Sequence, residues 1–208
     1  MHHSSHFTET RREVLDQLIR RHPLGTLVTL AGGSPVADHV PFVLDSGVGE
    51  MGRLRGHVAR ANPVWRGRKD ESESLIVFHG PQAYISPTWY ATKRETGKVV
   101  PTWNYVVVHV YGFLRVIQDA EWLHTQLNDL TTQQESGRPE PWSVSDAPED
   151  FTQRLLPGIV GLQFDITRIL GKSKLSQNQP ENNRHSVLEG LRSEFNDRLV
   201  HIMRRTSD

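Results

Sequence analysis

The chain has 208 residues, no cysteine, and 24 basic side chains against 24 acidic ones, which gives a formal net charge of zero. This length is sufficient to bury the core of one domain, or of a domain with an appendage, without a disulfide or a metal. The lack of cysteine excludes thiolate catalysis, cysteine-ligated zinc and iron–sulfur clusters, and the zero net charge argues against bulk attraction to nucleic acid, although a local basic patch stays open.

The first part of the chain predicts one helix followed by a series of strands. Residues 8–22 place apolar side chains at helical spacing, and Pro23 ends the pattern. Residues 24–30 and 36–44 flank a Gly-Gly-Ser-Pro turn, which predicts a hairpin with Pro41 at an edge or a bulge. Shorter strands are predicted at 53–58, 74–79 and 83–86.

The second part combines strong β patterns with helical ones. Residues 99–117 form the strongest β pattern, in which Gly112 indicates a bulge or a sharp bend. The remaining predicted elements are helices at 119–135 and 149–156, a long strand at 158–169, a polar segment at 171–179, and an amphipathic helix from Val187 to the C-terminus. The sequence therefore predicts an antiparallel barrel or sandwich of six or seven strands with peripheral helices.

One apparent cofactor motif does not fit its context. Residues 47–52 read Gly-Val-Gly-Glu-Met-Gly, which matches the dinucleotide fingerprint G-x-G-x-x-G letter for letter. That fingerprint needs a helix N-terminus facing the pyrophosphate, whereas residues 53–58 predict a strand. We therefore interpret residues 47–52 as a hairpin loop.

Three segments carry chemistry suited to a planar, phosphorylated ligand. Residues 57–63 place Arg60 where a strand gives way to a turn, and exposed N–H groups together with a guanidinium bind phosphate, although an ordinary solvated arginine is the alternative. Residues 98–105 alternate apolar and polar side chains around Trp103. Residues 172–178 supply two lysines, a hydroxyl and two carboxamides. Planar heteroaromatic rings bind to such a mixture of apolar wall and amide edges.

Neither a metal site nor a serine hydrolase is indicated. The sequence contains no H-E-x-x-H pair and no G-x-S-x-G elbow. Four histidines (39, 57, 79 and 109) fall on predicted strands, where histidine is usually a core or interface residue. The prediction is therefore that the chain holds no metal.

Six segments occur together and in the same order in a known family: HPLGTLVTL (22–30), RGHVARANPVW (55–65), GPQAYISPTWY (80–90), KVVPTWNYVVVHVYG (98–112), RPEPWSVSDAPEDF (138–151) and GKSKLSQNQP (171–180). On these residues the chain resembles the PaiB-type family of negative transcriptional regulators with an FMN-binding split-barrel fold. The resemblance covers roughly residues 7–191, and residues 192–208 lie outside it.

The resemblance implies a mainly β protein with peripheral helices, built as a six-stranded antiparallel Greek-key split barrel like that of pyridoxamine-phosphate-oxidase-like flavoproteins. It implies a single domain over residues 1–191 with a helical insertion at about 119–156, followed by a C-terminal helical extension at 192–208. It also implies a homodimer that holds FMN at the subunit interface.

Carried over position by position, the resemblance implies which residues bind the flavin. The candidates for the ribityl-phosphate end are His57, Arg60 and Asn62, and Val58 and Ala59 between them are also candidates for binding the cofactor. The candidates for the ring are Trp103 and Asn104. The residues expected to close the site, from the same or the second subunit, are Lys174, Ser176, Gln177 and Asn178. Two further candidates are His39 and Ser86.

The chain departs from the family pattern at one position of the last segment. Where the family has tryptophan, this sequence has Ser173, which removes a large flat side chain. If that tryptophan stacks on the flavin, FMN binding is expected to be weak here. If it packs a dimer, binding is expected to survive.

Three functional hypotheses follow. The first is a flavin-binding dimer that acts as an FMN-dependent oxidoreductase or only senses flavin; because the cofactor carries the chemistry, no catalytic residue is assigned. The second is a regulator that contacts DNA, which the family name suggests and the charge does not support. The third is a haem-handling protein. The sequence has no signal peptide and no apolar run long enough to span a membrane, so a cytoplasmic location without membrane contact is expected.

Overall fold

The apolar stripe near the N-terminus forms helix α1 (Arg12–Arg21) in the computed structural model, which describes residues 1, 4–66, 72–194 and 196–205. The predicted helix start at residue 8 is wrong, because Thr8–Glu9 forms a short strand, β1. The Glu9 carboxylate accepts hydrogen bonds from the backbone N–H and the guanidinium of Arg11 at 2.8–3.0 Å. These bonds satisfy polar groups ahead of the helix and fix its start.

Seven further strands complete one antiparallel sheet. They are β2 (Leu24–Ala31), β3 (Ser34–Pro41), β4 (Val43–Asp45), β5 (Arg53–Ala59), β6 (Ser74–Ile85), β7 (Thr102–Ile117) and β8 (Ile159–Lys174). Their order in the sheet is β3-β2-β6-β7-β8-β5-β4, and β1 pairs with β8 outside this path. The predicted hairpin of β2 and β3 is confirmed, with Ala31 opposite Ser34 at its turn.

The part of the chain that the structure describes has eight strands instead of the predicted six or seven, because β1 is added and one predicted strand is divided. The predicted strand 36–44 is interrupted at Phe42, whose side chain is fully buried and whose N–H donates to the carbonyl oxygen of Pro23 at 2.9 Å. In contrast, the predicted strands 74–79 and 83–86 are one continuous strand, β6. The first four residues of the predicted polar segment 171–179 also belong to a strand, because β8 extends to Lys174 and pairs with β1 at Gly171 and Lys172.

The helices lie mainly in the second half of the chain. They are α2 (Lys93–Thr96), α3 (Ala120–Glu135), α4 (Glu149–Leu155), α5 (Glu181–Ser193) and α6 (Asp197–Arg205). The prediction of a helix from Val187 to the C-terminus is wrong in its continuity, because α5 and α6 are separate; Phe195, which was assigned to its apolar stripe, lies outside the described residues. Among the described residues, no helix has the length and apolar character needed to cross a bilayer.

The chain forms two compact units. Unit 1 comprises Met1–Leu15, His79–Val108 and Leu170–Asp208, and unit 2 comprises Asp16–Phe78 and His109–Ile169. Each unit buries its own set of large apolar side chains, which include Ile85, Leu175 and Leu191 in unit 1 and Leu27, Phe78, Leu114, Leu162 and Phe164 in unit 2. The single domain over residues 1–191 stays a prediction.

Gly112 lies inside the continuous strand β7 and does not break it. A Cβ atom at this position would overlap the carbonyl oxygen of Asp165 and would lie 2.6 Å from Cε1 of Phe164. The glycine is therefore required because another strand approaches closely, which is a known reason for glycine in a strand. The predicted bulge or sharp bend at Gly112 stays a prediction.

Candidate functional site

The residues predicted to bind a ligand fall into two groups, one in each unit. His39, His57, Val58, Ala59, Arg60 and Asn62 belong to unit 2, and Ser86, Trp103, Asn104, Lys174, Ser176, Gln177 and Asn178 belong to unit 1. In unit 2, His39 is exposed on β3, Val58 is buried on β5, and Ala59 is exposed at the end of β5.

In unit 2, His57 holds helix α3 against strand β5. Its Nδ1 lies 2.8 Å from Oε1 of Gln126, a helix residue whose side chain is fully buried. Opposite His57 on β8, Gly161 leaves room for the ring of Trp122, whose Cε3 would lie 2.9 Å from a Cβ atom there. Because Trp122 and Gln126 are four residues apart on one helix face, His57 is part of the packing of this helix.

Arg55, two residues before His57, forms a charged cluster on the same face of β5. Its guanidinium donates to Asp45 at 2.5 and 2.9 Å and to Asp129 of α3 at 2.7 Å. These two carboxylates raise the pKa of the Arg55 guanidinium above its ordinary value, and the hydrogen bond to Asp45 is the main cause. The arginine is only 13% exposed, so the cluster fixes α3 through a largely buried charge.

We expect Arg55→Met to lower the free energy of unfolding by about 2–4 kcal/mol at neutral pH. The substitution leaves two carboxylates without their shared cation, and the effect is below that of a fully buried pair because both carboxylates keep some solvent contact. Urea unfolding measures the change, with Arg115→Met as the control, since Arg115 is 66% exposed beside Asp165. Equal losses in the two variants would contradict this role for Arg55.

Arg60 and Asn62 stabilise the turn that follows β5. The Arg60 guanidinium donates to the carbonyl oxygens of Pro157 and Ile159 at 2.5 and 3.1 Å and to Oε1 of Gln118 at 2.8 Å. The Asn62 carboxamide accepts from the N–H of Val64 at 2.8 Å, as the N-cap of a one-turn 3-10 helix. Its Nδ2 donates to Asp38 at 2.6 Å. A phosphate at Arg60 would therefore compete with three existing acceptors.

In unit 1, two exposed aromatic residues lie near a third, half-buried one and two half-buried lysines, and we call this set the aromatic–lysine face: Tyr84, Trp103, Tyr105, Lys172 and Lys174. The rings of Tyr84 and Trp103 meet edge to face with centroids 6.0 Å apart, and the side chains are 46% and 53% exposed. Nζ of Lys172 lies 5.6 Å from the ring centroid of Tyr105. The face presents flat apolar surface beside positive charge.

Nζ of Lys174 donates a hydrogen bond to Oγ1 of Thr102, the residue before Trp103. Ser173 is buried on the other side of β8 from Lys172 and Lys174. The position at which the family has tryptophan therefore does not belong to the aromatic–lysine face. Weak flavin binding caused by the missing ring stays a prediction without support from this surface.

The structure separates the two residues predicted to contact the ring. Asn104 follows Trp103 on β7 and points to the opposite side of the strand, where its side chain is fully buried. Its Nδ2 donates to Oγ of Ser176 at 3.0 Å, and the Ser176 hydroxyl is 3.1 Å from Oδ1 of Asn104. Trp103 and Asn104 therefore do not line one surface, whereas Asn104 and Ser176 are in contact.

The remaining candidates of unit 1 stabilise loops or are exposed. Gln177 spans the turn after β8, because its Oε1 accepts from the N–H of Leu175 at 2.7 Å and its Nε2 donates to the carbonyl oxygen of Ser173 at 2.6 Å. Asn178 is exposed beside it. Ser86 is the N-cap of the one-turn 3-10 helix Pro87–Trp89.

A pair of hydrogen bonds that the sequence did not reveal fixes the loop after Ser86. The buried Asn183 of α5 accepts from the N–H of Thr92 at 3.1 Å and donates to its hydroxyl at 3.0 Å. Trp89 packs over Gly190, where a Cβ atom would lie 2.6 Å from its Cγ. A carboxamide on an otherwise apolar helix face was the available signal. Within the described residues, no group of three or more histidines or carboxylates is arranged to hold a metal ion.

This antiparallel sheet with peripheral helices is the architecture of a split-barrel protein. The chain belongs to the family described as “Putative FMN-binding domain”, whose model matches residues 1–168. The predicted PaiB-type membership and the split-barrel class are thereby confirmed.

Three comparisons illustrate the family and the fold. The chain is 33% identical over 196 residues to “Protease synthase and sporulation protein PAI 2” of Bacillus subtilis, which covers 94% of this chain and 91% of that protein. It is 37% identical over 229 residues to an uncharacterized protein of Aspergillus fumigatus, with 88% and 87% covered. The fold is similar to that of the FAD and heme binding protein from Mycobacterium smegmatis, with a TM-score of 0.61, 19% identity, and 88% and 80% of the two chains covered.

Proposed function

We propose that the chain binds FMN with the isoalloxazine ring against the aromatic–lysine face of unit 1. The observation that carries this proposal is the half-exposed Trp103–Tyr84 pair beside Lys172 and Lys174. An exposed pair of rings is costly in water and offers an edge-to-face contact that a third ring can extend. The family membership supports FMN as the flavin. The Mycobacterium smegmatis protein of similar fold is named for binding FAD, a flavin with the same ring.

The residues of this face fit the flavin chemically. Trp103 supplies a broad indole surface, and Lys174, held by Thr102, supplies an ammonium that attracts the electron-rich carbonyl edge or the phosphate. When bound, the flavin supplies two-electron redox chemistry. The chain's own side chains would bind and orient the flavin. Both catalysis and flavin sensing would depend on that binding.

The experiment is a calorimetric titration of the purified chain with FMN, riboflavin and FAD. We expect FMN to bind more tightly than riboflavin, because only FMN carries the phosphate dianion that a lysine attracts. Equal affinities for FMN and riboflavin would show that the phosphate is not recognised. Absence of binding by all three flavins would remove the proposal.

Arg60 gives a second test, because its predicted phosphate role competes with its structural bonds. We expect Arg60→Ala to lower the free energy of unfolding by about 1–2 kcal/mol, since three oxygen acceptors lose their donor at a partly exposed site. If Arg60 also binds the phosphate, the same substitution is expected to weaken the binding free energy of FMN by about 1.5–3 kcal/mol, the value of a hydrogen bond to a charged group. The guanidinium groups of Arg60 and Arg66 both lie over the ring of Trp65, that of Arg66 at 5.0 Å from the ring centroid, and Arg66 is exposed. Arg66→Ala is therefore the control.

We further propose a homodimer that acts in the cytoplasm. Strand β3 is the last strand at one side of the sheet order, and three apolar side chains of the β2–β3 hairpin are exposed, namely Leu24, Leu30 and Val36. An edge strand with exposed apolar side chains on its hairpin is a surface that a second copy can cover.

Light scattering of the chain is expected to give twice its mass, and Val36→Asp is expected to shift the equilibrium toward the monomer. A monomer at all concentrations would contradict this proposal.

A further inference from the structure

We infer that the buried pair of Asn104 and Ser176 is a positioning clamp, which sets the spacing of Trp103 and Lys174, their near neighbours in the chain. The inference assigns these two residues a role behind the aromatic–lysine face instead of in contact with the ring. Its importance for ligand binding rests on the flavin site proposed above.

The pair joins the start of β7 to the turn that follows β8. Asn104 and Ser176 exchange two contacts at 3.0 and 3.1 Å, although they are 72 residues apart in the chain. Both side chains are almost completely buried, with 0% and 3% exposure. A buried carboxamide that finds its partner in a single hydroxyl is costly to separate from it, because either group alone would lose its hydrogen bonds.

Ser176 adopts a backbone conformation that serine rarely adopts. Its φ of 64° is the only positive value for a non-glycine residue among the described residues. Such a conformation costs about 1 kcal/mol or more and persists where the surroundings enforce it. Here Gln177 ties the turn to Leu175 and Ser173, and the hydroxyl of Ser176 is thereby directed at Asn104.

The clamp is linked to the aromatic–lysine face through neighbouring residues of the chain. Asn104 directly follows Trp103 on β7, and Ser176 lies in the turn two residues after Lys174, the last residue of β8. The hydrogen bond from Lys174 to Thr102 joins the same two chain segments. The segments are therefore fastened at two points, and the clamp limits how far Lys174 can move relative to Trp103.

Helix α6 seals the clamp from solvent. The Sδ atom of Met203 lies 3.5 Å from Nδ2 of Asn104, and Leu199 and Met203 are buried. Sulfur is a weak acceptor, so this contact excludes water without replacing the bond to Ser176. The polar pair is consequently held in a dry environment, where its hydrogen bonds are strong.

The decisive variant is Ser176→Gly. Glycine adopts φ near 64° without strain, so relief of strain offsets part of the loss of the hydroxyl, and the fold is expected to be retained. The readout is the ¹⁹F NMR spectrum of the chain labelled with fluorotryptophan, in which Trp103→Phe identifies the Trp103 signal among five. We expect Ser176→Gly to shift or broaden the Trp103 signal and to leave the Trp142 signal of unit 2 unchanged.

Asn183→Ala is the matched control, because it removes another buried carboxamide of unit 1, which is bonded to Thr92 instead of to the clamp. This control is expected to lower stability and leave the Trp103 signal in place. An unchanged Trp103 signal in Ser176→Gly would overturn the inference. The same would follow if Asn183→Ala and Ser176→Gly moved the signal equally, since that would indicate general loosening.

The affinity for FMN provides the second readout. We expect Ser176→Gly to weaken FMN binding by roughly tenfold at unchanged stoichiometry, because a small displacement of a positioning group is costly. Equal FMN affinities of the wild-type chain and Ser176→Gly would overturn the positioning role. If the wild-type chain bound no FMN, the proposed function would fail, whereas the Trp103 signal would still decide whether the clamp exists.

Discussion

Gly112→Ala is expected to lower the free energy of unfolding by about 3 kcal/mol, the upper part of the range for inserting a methyl group into a filled space. The added Cβ would overlap the carbonyl oxygen of Asp165 and would lie 2.6 Å from Phe164, a fully buried ring. A backbone oxygen in a sheet cannot move aside as the end of a flexible side chain can. For a chain of this size, the loss corresponds to a melting temperature lower by roughly 6–12 °C.

The measurement is thermal unfolding followed by circular dichroism, with Gly137→Ala as the control. A Cβ at Gly137 meets no atom within 4 Å, so this variant is expected to melt close to the wild-type chain. A Gly112→Ala protein that also melts like the wild type would show that β7 and β8 do not approach as described.

Trp103→Ala is expected to reduce FMN affinity by about 10- to 100-fold, because stacking of a flat base on an aromatic side chain contributes about 1–3 kcal/mol when measured by alanine substitution. The loss should fall on binding and not on folding, since the side chain is 53% exposed. Trp103→Phe, which keeps a smaller ring, is expected to retain most of the affinity. Fluorescence titration with FMN measures the three dissociation constants.

Trp142→Ala is the control for this experiment. Trp142 is 49% exposed in unit 2, so the two substitutions remove the same side chain from similarly exposed positions. FMN affinity is expected to stay at the wild-type value in Trp142→Ala. Equal affinities of Trp103→Ala and the wild-type chain would contradict the aromatic–lysine face as the ring site.

The sequence predicted the secondary structure best where a side-chain pattern directly reflects burial. The interpretation of residues 47–52 as a hairpin loop is confirmed, because they join the antiparallel strands β4 and β5, and β5 begins at Arg53. Boundaries set by tertiary contacts were missed. The division at Phe42 depends on a bond to Pro23, and the extension of β8 depends on pairing with β1, and neither contact has a local signal.

The candidate site shows the same distinction. Residue types suggested a phosphate role for Arg60, but the acceptors around it, such as Pro157, come from a distant part of the chain. His57 was identified as chemically notable, yet its partner Gln126 lies on a helix whose apolar positions gave no sign of a buried carboxamide. Alternation within β7 already implied that Trp103 and Asn104 point to opposite sides. The buried surroundings of Asn104 could only be found in the fold.

A crystal structure of the chain grown with FMN tests the central claim most directly. We expect electron density for the isoalloxazine ring against Trp103, with Lys174 within hydrogen-bond distance of the flavin and Asn104 still buried on the other side of β7. A ring bound away from Trp103, or a fully occupied flavin that contacts Asn104 and leaves Trp103 exposed, would contradict it.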